Sequence, residues 1–243
     1  MPVGKCAFFL DLDGTLLKFA PRPDAVSVDA GLRELLEKLQ LRSRGALALV
    51  SGRSIATLDS LLAPLRLPAA GLHGFERRDA TGTLTSHQPP DRRLLDDARR
   101  QMDQWVRTHP RLMLEDKGCA LALHYRRVPK LGPAVVNAVI AMAARARASG
   151  LAVQRGHMVV ELVPTGVNKG SAVAAFMSEA PFAGRQPLYA GDDLTDESAF
   201  EWVNAAGGVS VAVNCPRPTA ARTRLNSVDE VRAWLRALIE RGD

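Results

Sequence analysis

This chain has little of what crosslinked, membrane-embedded or nucleic-acid-binding proteins need. Its 243 residues hold three cysteines, Cys6, Cys119 and Cys215, far apart and odd in number. No Cys-x-x-Cys pair occurs, which argues against a disulfide framework or a zinc site. Each thiol is expected to be a small buried side chain in a reducing compartment. No stretch of 18 or more apolar residues appears, which argues against a membrane span. The N-terminal apolar run is short and meets an acidic residue at Asp11, so it does not read as a signal peptide, and the cytoplasm is the expected location. Aromatic residues make up 5% of the chain and are not interleaved with any basic run. The arginines of DRRLLDDARR (91–100) alternate with aspartates, as on a solvated helix face. The formal net charge of +6 therefore points away from nucleic acid and towards a small anionic, phosphorylated molecule. There is no internal repeat and no low-complexity tract.

Hydrophobic residues make up 47% of the chain, enough for a substantial core. Lys5–Leu10 and the stretch GALALVS (45–51) read as buried strands, and Ala69–His73 as a third. Helices are predicted over Asp29–Leu41 and Ser54–Leu62. Strands alternating with helices imply a parallel α/β sheet. After a predicted hairpin around Gly82, Pro89-Pro90 breaks the chain and the rhythm changes. Helices are predicted over Asp91–Thr108 and Pro133–Ser149, the second closed by Gly150. The paired segments Leu112–Lys117 with Ala120–Arg126, and Leu151–Arg155 with Met158–Val163 around Gly156, read as strands. This is a small α+β insert, a four-stranded sheet covered by two helices. After Pro164 the α/β rhythm returns, with a helix from Asn168, a strand Pro187–Ala190, a helix Thr195–Val203 and a strand Gly208–Val213. Ser227 and Glu230 are spaced as a capping box for the last helix. The expected domains are a core of residues 1–88 and 164–243 and an insert of residues 89–163.

Three segments share one design, an apolar strand ending in polar residues: FFLDLDG, LALVSGR and PLYAGDD. Ligands of open α/β sheets bind beyond the carboxyl ends of the strands. Asp11, Asp13, Ser51, Asp192 and Asp193 are therefore expected in one cleft. Carboxylates that close repel each other unless a cation sits among them, and an oxygen-rich set suits Mg²⁺. Lys169, where a loop enters a helix, is placed to neutralise a phosphoryl group. Taken singly, each feature has a plainer reading: a helix cap for the aspartates, a turn for Ser51-Gly52, a solvated surface residue for Lys169. All four in this order, each at a strand or helix end, are hard to obtain by chance.

The set DLDGT, SGR, Lys169 and GDDLTD resembles the four motifs of the haloacid dehalogenase-like phosphohydrolases. GLHG (71–74), ELVPTGVNKG (161–170), GDDLTDE and the insert's EDKGCALALHYR narrow the resemblance to the trehalose-6-phosphate phosphatases, without an accompanying glycosyltransferase domain. The resemblance implies a Rossmann-like core with an α+β cap and an aspartyl-phosphate mechanism on trehalose 6-phosphate. It makes Asp11 the nucleophile and Asp13 the general acid and base. Mg²⁺ would be held by Asp11, the backbone carbonyl of Asp13, and Asp192. Ser51, Arg53 and Lys169 would stabilise the phosphoryl group, while Asp193 and Asp196 orient the metal's waters or Lys169. Gly14, His73, Gly74 and Asn168 are expected against the substrate. In the cap, strand alternation puts Glu115, Lys117, His124, Arg126 and Glu161 on one polar face, and the resemblance makes it the sugar-binding face. His87, His109 and His157 are assigned no role. The nearest rival substrates are sucrose phosphate and mannosyl phosphoglycerate. A receiver-like signalling domain lacks the second aspartate and the cap, and a silent binding subunit would not need Asp11, Asp13, Lys169 and Asp192 intact. A monomer with a small-molecule substrate is expected.

Overall fold

A computed structural model describes residues 2–20, 26–145 and 150–241. The chain divides into two compact units, one of Met1–Ser86 with Asn168–Asp243 and one of His87–Val167. The second unit is slightly wider at each end than the expected 89–163.

The first unit begins with β1 (Cys6–Leu10), α1 (Ala30–Arg42), β2 (Leu47–Val50), α2 (Ile55–Leu62), β3 (Ala69–Gly71), β4 (Glu76–Arg78) and β5 (Leu84–Ser86). Asp29 and Ser54 cap α1 and α2 by accepting backbone N–H groups in the first turn. The second unit is built from α3 (Arg92–Thr108), β6 (Met113–Asp116), β7 (Leu121–His124), α4 (Gly132–Arg145), β8 (Leu151–Gly156) and β9 (Val159–Pro164). The first unit then resumes with α5 (Lys169–Met177), β10 (Gln186–Gly191), α6 (Glu197–Ala205), β11 (Val209–Val213), β12 (Thr223–Leu225) and α7 (Val228–Glu240).

The first unit's sheet has the order β12-β11-β10-β1-β2-β3-β4-β5. Strands β12 to β3 are parallel, and β4 and β5 add an antiparallel edge. Both faces are covered, which is why these strands read as continuous apolar runs. On one face Phe8, Leu10, Leu47 and Leu49 pack with residues of α1, α2 and α7. On the other, Ala7, Phe9, Ala48, Val50 and Tyr189 pack with α5 and α6. There Phe9, Phe176 and Phe182 cluster at centroid distances of 5.1–6.0 Å, with Phe9 stacked on Phe182 and the other two pairs tilted. Side chains alternate along a strand, so Asp11, two residues past Phe9, leaves the sheet directly above this aromatic cluster.

The second unit's sheet has the order β6-β7-β9-β8 and is antiparallel throughout. Leu121, Leu123, Val160 and Leu162 on one face bury against Leu95, Ala98 and Met102 of α3 and Val135 and Val139 of α4. The helical spacing of those partners makes the stripe that covers the sheet.

Several local expectations are corrected. β3 stops at Gly71, because Leu72 and His73 turn the chain with φ of 51° and 59°. The β8–β9 turn lies at His157-Met158, not at Gly156, which pairs with Val159. β7 ends at His124, so Arg126 lies beyond the strand and the shared-face argument does not reach it. The segment Thr195–Val203 opens as a 3-10 turn over Leu194–Asp196 before α6 begins. Ser227 caps α7, but Glu230 reaches back to the N–H of Asn226 rather than that of Ser227. β12 was not anticipated, since Thr223-Arg224-Leu225 is a short, polar edge strand with no apolar pattern to reveal it. The expected helix end at 146–149 lies outside the described residues.

Candidate active site

β1 lies between β10 and β2 in the sheet, and the chain leaves it towards one side early and towards the other late. That is a topological switch point, where an α/β sheet leaves a crevice beyond its strand ends. Asp11 follows β1, Ser51 follows β2 and Asp192 follows β10. Lys169 enters as the first residue of α5, where Asn168 and Ser171 form a reciprocal cap. All the core residues of the expected site belong to this unit.

Lys169 is buried, and its ammonium donates to Asp11 Oδ1 at 2.9 Å and to Asp196 Oδ1 at 2.6 Å. Asp196 is saturated. The Tyr189 hydroxyl also donates to Oδ1 at 2.6 Å, and the backbone N–H groups of Asp192 and Asp193 donate to Oδ2 at 2.9 and 2.8 Å. Burial alone would lower the Lys169 pKa, but the carboxylates of Asp11 and Asp196 raise it well above the ordinary lysine value. The lysine is thus a fixed cation. Burial pushes the Asp11 carboxyl up, Lys169 pulls it back, and Asp196 adds to the rise. Asp192 is also held high, by burial first and then by Asp11 and Asp196.

Oxygens of Asp11, Asp192 and Asp196 lie within 4.8 Å of one another. Both oxygens of Asp196 are already occupied, which leaves Asp11 and Asp192 as the open donors. Three carboxylates around one ammonium leave two negative charges uncompensated, and the donors are all oxygen. That set fits a hard divalent cation such as Mg²⁺. Gly14 makes room for the Asp192 carboxylate: a side chain there would stand 2.1 Å from Asp192 Oδ2.

Asp13 is held by Arg53 in a bidentate pair, with Nε donating to Oδ2 at 2.6 Å and Nη2 to Oδ1 at 2.8 Å. Ser51 Oγ accepts the Arg53 N–H at 3.2 Å and so fixes the loop that carries the guanidinium. Arg53, expected on the phosphoryl group, thus engages the carboxylate two residues after Asp11. Asp193 Oδ1 accepts the N–H of Leu194 at 2.7 Å, which makes it a turn cap in this arrangement. His73 is buried in the left-handed turn after β3, and the Asn168 carbonyl lies beside Gly74.

In the second unit, Glu115, Ala122, Glu161 and Gln154 form one cross-strand row. Lys117 Nζ donates to Glu161 Oε1 at 2.6 Å, and His124 Nε2 meets Glu115 Oε2 at 2.8 Å. Burial raises the Glu115 pKa, but the His124 hydrogen bond and the charge of Lys117 outweigh it and hold the carboxyl low. Four of the five expected residues are therefore assembled on one face in two pairs. The fifth, Arg126, donates instead to the His157 carbonyl at 3.3 Å.

A family model described as trehalose-phosphatase matches residues 9–229. The chain belongs to the trehalose-phosphatase family. It is 45% identical over 231 residues to the trehalose-6-phosphate phosphatase of Escherichia coli K12, covering 95% of this chain and 85% of that protein. It is 40% identical over 233 residues to a probable trehalose-phosphate phosphatase of Sinorhizobium fredii, covering 96% and 87%. The C-terminal domain of the C. albicans trehalose-6-phosphate phosphatase superposes with a TM-score of 0.88 at 23% identity, over 99% of this chain and 94% of that one. The fold is therefore the haloacid dehalogenase-like fold of this family.

One member of the core constellation of this trehalose-phosphatase family chain, and one pairing within it, have no signal in the sequence pattern. Tyr189 lies in a predicted strand and carries no motif signal, although a buried tyrosine hydroxyl requires a partner. The pairing of Arg53 with Asp13 joins residues 40 positions apart, which no local pattern predicts.

Proposed function

We propose that this chain hydrolyses trehalose 6-phosphate to trehalose and phosphate with Mg²⁺ through an aspartyl-phosphate. One observation carries the reading: Asp11 stands on a buried lysine while a second carboxylate, Asp13, is held apart from it by Arg53. Two carboxylates with separate partners can take separate roles.

Asp11 attacks phosphorus, the bond to the sugar oxygen breaks, and Asp13, turned from Arg53 to the substrate and entering the step as the acid, gives that oxygen its proton. Water then attacks the aspartyl-phosphate, Asp13 takes its proton, and phosphate leaves with Asp11 regenerated. Lys169 favours the ionised form of Asp11, holds it in place and offsets charge on the phosphoryl oxygens. Asp11, Asp192 and the carbonyl of Asp13 would hold Mg²⁺, which when bound supplies further charge neutralisation at the phosphoryl group. Ser51 contributes a hydroxyl, and Gly14, His73, Gly74 and Asn168 line the substrate. Glu115, Lys117, His124 and Glu161 present donors and acceptors side by side, as a disaccharide's hydroxyls require, and Arg126 is assigned to the same sugar.

The test is phosphate release by the purified chain with Mg²⁺ across trehalose 6-phosphate, sucrose phosphate and mannosyl phosphoglycerate, with D11N alongside. Trehalose 6-phosphate should give the highest kcat/KM, and D11N should fold and turn over nothing. A higher value on either rival would refute the substrate, and turnover by D11N would refute the nucleophile.

A further inference from the structure

We infer that Tyr189 is a positioning residue for phosphoryl transfer, its hydroxyl acting through Asp196 to set where Lys169 stands against Asp11. The inference rests on the reading of Asp11 as nucleophile and adds a residue to it.

Tyr189 sits in mid-β10, fully buried, and is the Cα partner of Phe9 on β1. Its ring packs edge-on against Phe200 with centroids 5.6 Å apart, inside an apolar layer that also holds Phe9, Phe176 and Phe182. A phenylalanine would satisfy that packing. What the tyrosine adds is one oxygen in a place with no water-facing surface, and burying a hydroxyl is unfavourable unless it is hydrogen-bonded. Its partner is not an arbitrary carbonyl. It is Asp196 Oδ1, the same atom that accepts the Lys169 ammonium, and both contacts are 2.6 Å.

Sharing that atom has a consequence for the lysine. With both backbone donors on Oδ2 and both side-chain donors on Oδ1, Asp196 has no unsatisfied direction in which to rotate. The phenol proton also draws charge from Oδ1 and so weakens its pull on Lys169. Without the hydroxyl, Oδ1 would face the ammonium alone and attract it more strongly. The bond it competes with is the longer one, Lys169 to Asp11 at 2.9 Å. Lys169 would then shift towards Asp196, and Asp11 would lose part of the contact that aligns it. Burial and the negative neighbours Asp196 and Asp11 keep the phenol protonated, so it serves as a donor across the working pH range.

The experiment compares wild type, Y189F, D196N and Y189F/D196N as full chains with Mg²⁺, on trehalose 6-phosphate and on p-nitrophenyl phosphate, with D11N as the control for the underlying reading. Y189F should keep its fold and melt within about 4 °C of wild type, the scale of one lost hydrogen bond in a chain of this size. Its kcat should fall about tenfold on both esters with KM within about twofold, the scale of one charge-assisted hydrogen bond felt at the reacting centre. In the D196N background the same change should cost less than about twofold, because the path through Asp196 is already cut. Unchanged kcat, a loss confined to KM, a full additional loss on top of D196N, or failure of Y189F to fold would each overturn the inference. Turnover retained by D11N would remove the underlying reading and this inference with it, whereas an inactive D11N beside an unimpaired Y189F removes the inference alone.

Discussion

Adding a single methyl group at Gly14 should separate the stability of this protein from its chemistry. Gly14 has φ of 84°, and a Cβ there would lie 2.1 Å from Asp192 Oδ2 and 2.4 Å from its Cγ. Two effects follow from G14A. The left-handed backbone costs an L-residue about 1–2 kcal/mol. The clash must be relieved by moving the Asp192 carboxylate by about an ångström, far beyond the ~0.2 Å tolerance of a metal–ligand bond. G82A is the matched control, since Gly82 has φ of 90° and nothing within 4 Å of the added carbon. Urea unfolding should show both variants weakened by about 1–2 kcal/mol. Phosphatase assays should show G82A with wild-type kcat/KM, and G14A down about 100-fold with a raised Mg²⁺ requirement, as expected for a ligand displaced by about 1 Å. Wild-type turnover and Mg²⁺ response in G14A would show that Asp192 does not stand where the cation is held.

Other outcomes follow from the same geometry. R53A should lower kcat by about 10–100-fold, because Asp13 loses both of its guanidinium contacts, and R53K should recover only part, since lysine cannot form the bidentate pair; full recovery in R53K would refute the positioning argument. K117M leaves Glu161 buried without its ammonium and should cost about 3 kcal/mol in denaturant unfolding, the low end for a broken buried pair, with KM rising more on trehalose 6-phosphate than on p-nitrophenyl phosphate; equal changes on both esters would place Lys117 outside the sugar site. Chelation with EDTA should abolish turnover and Mg²⁺ should restore it, while turnover surviving exhaustive chelation would contradict the cation assignment. Asp192 is held above its ordinary range, so the metal-free native state binds its proton more tightly than the unfolded chain does and loses stability as pH rises above about 4. D192N should therefore melt higher than wild type at pH 8 without metal, with little difference near pH 4, yet be inactive; a lower melting temperature at pH 8 would refute that accounting.

What could be read in advance was what one segment encodes by itself. The strands of the first unit are buried on both faces, so their apolar runs announced them, and the polar residues at their ends announced a cleft. Asp11, Ser51, Lys169 and Asp192 were legible because each ends or begins an element. Asp196 beside Lys169 follows from the family resemblance, but the other partners were not legible. Arg53 reaches Asp13, Tyr189 and Lys169 share one oxygen of Asp196, and Lys117 meets Glu161 across 44 positions. Such pairs depend on sheet order and side-chain reach, which periodicity does not contain. The failures were local too: His73 and Met158 take positive φ without being glycine, so the turns they make were placed elsewhere or missed.

The charge cluster also explains where the site is built. A lysine only 2% exposed, ringed by carboxylates, is a costly way to fill a core, since a well-packed apolar residue would serve stability as well or better. Its excess negative charge, three carboxyl groups around one ammonium, works against folding. Such a site must rest on structure that does not yield. Asp11 follows β1 and Tyr189 lies within β10, adjacent strands in the middle of the sheet, beside the layer where Phe9, Phe176 and Phe182 pack. Lys169 starts a helix packed on that same layer through Val173 and Phe176. The three groups that must hold their distances to a few tenths of an ångström are therefore tied to one rigid apolar layer, so the electrostatic strain is stored in ion pairs and not released by movement of the backbone.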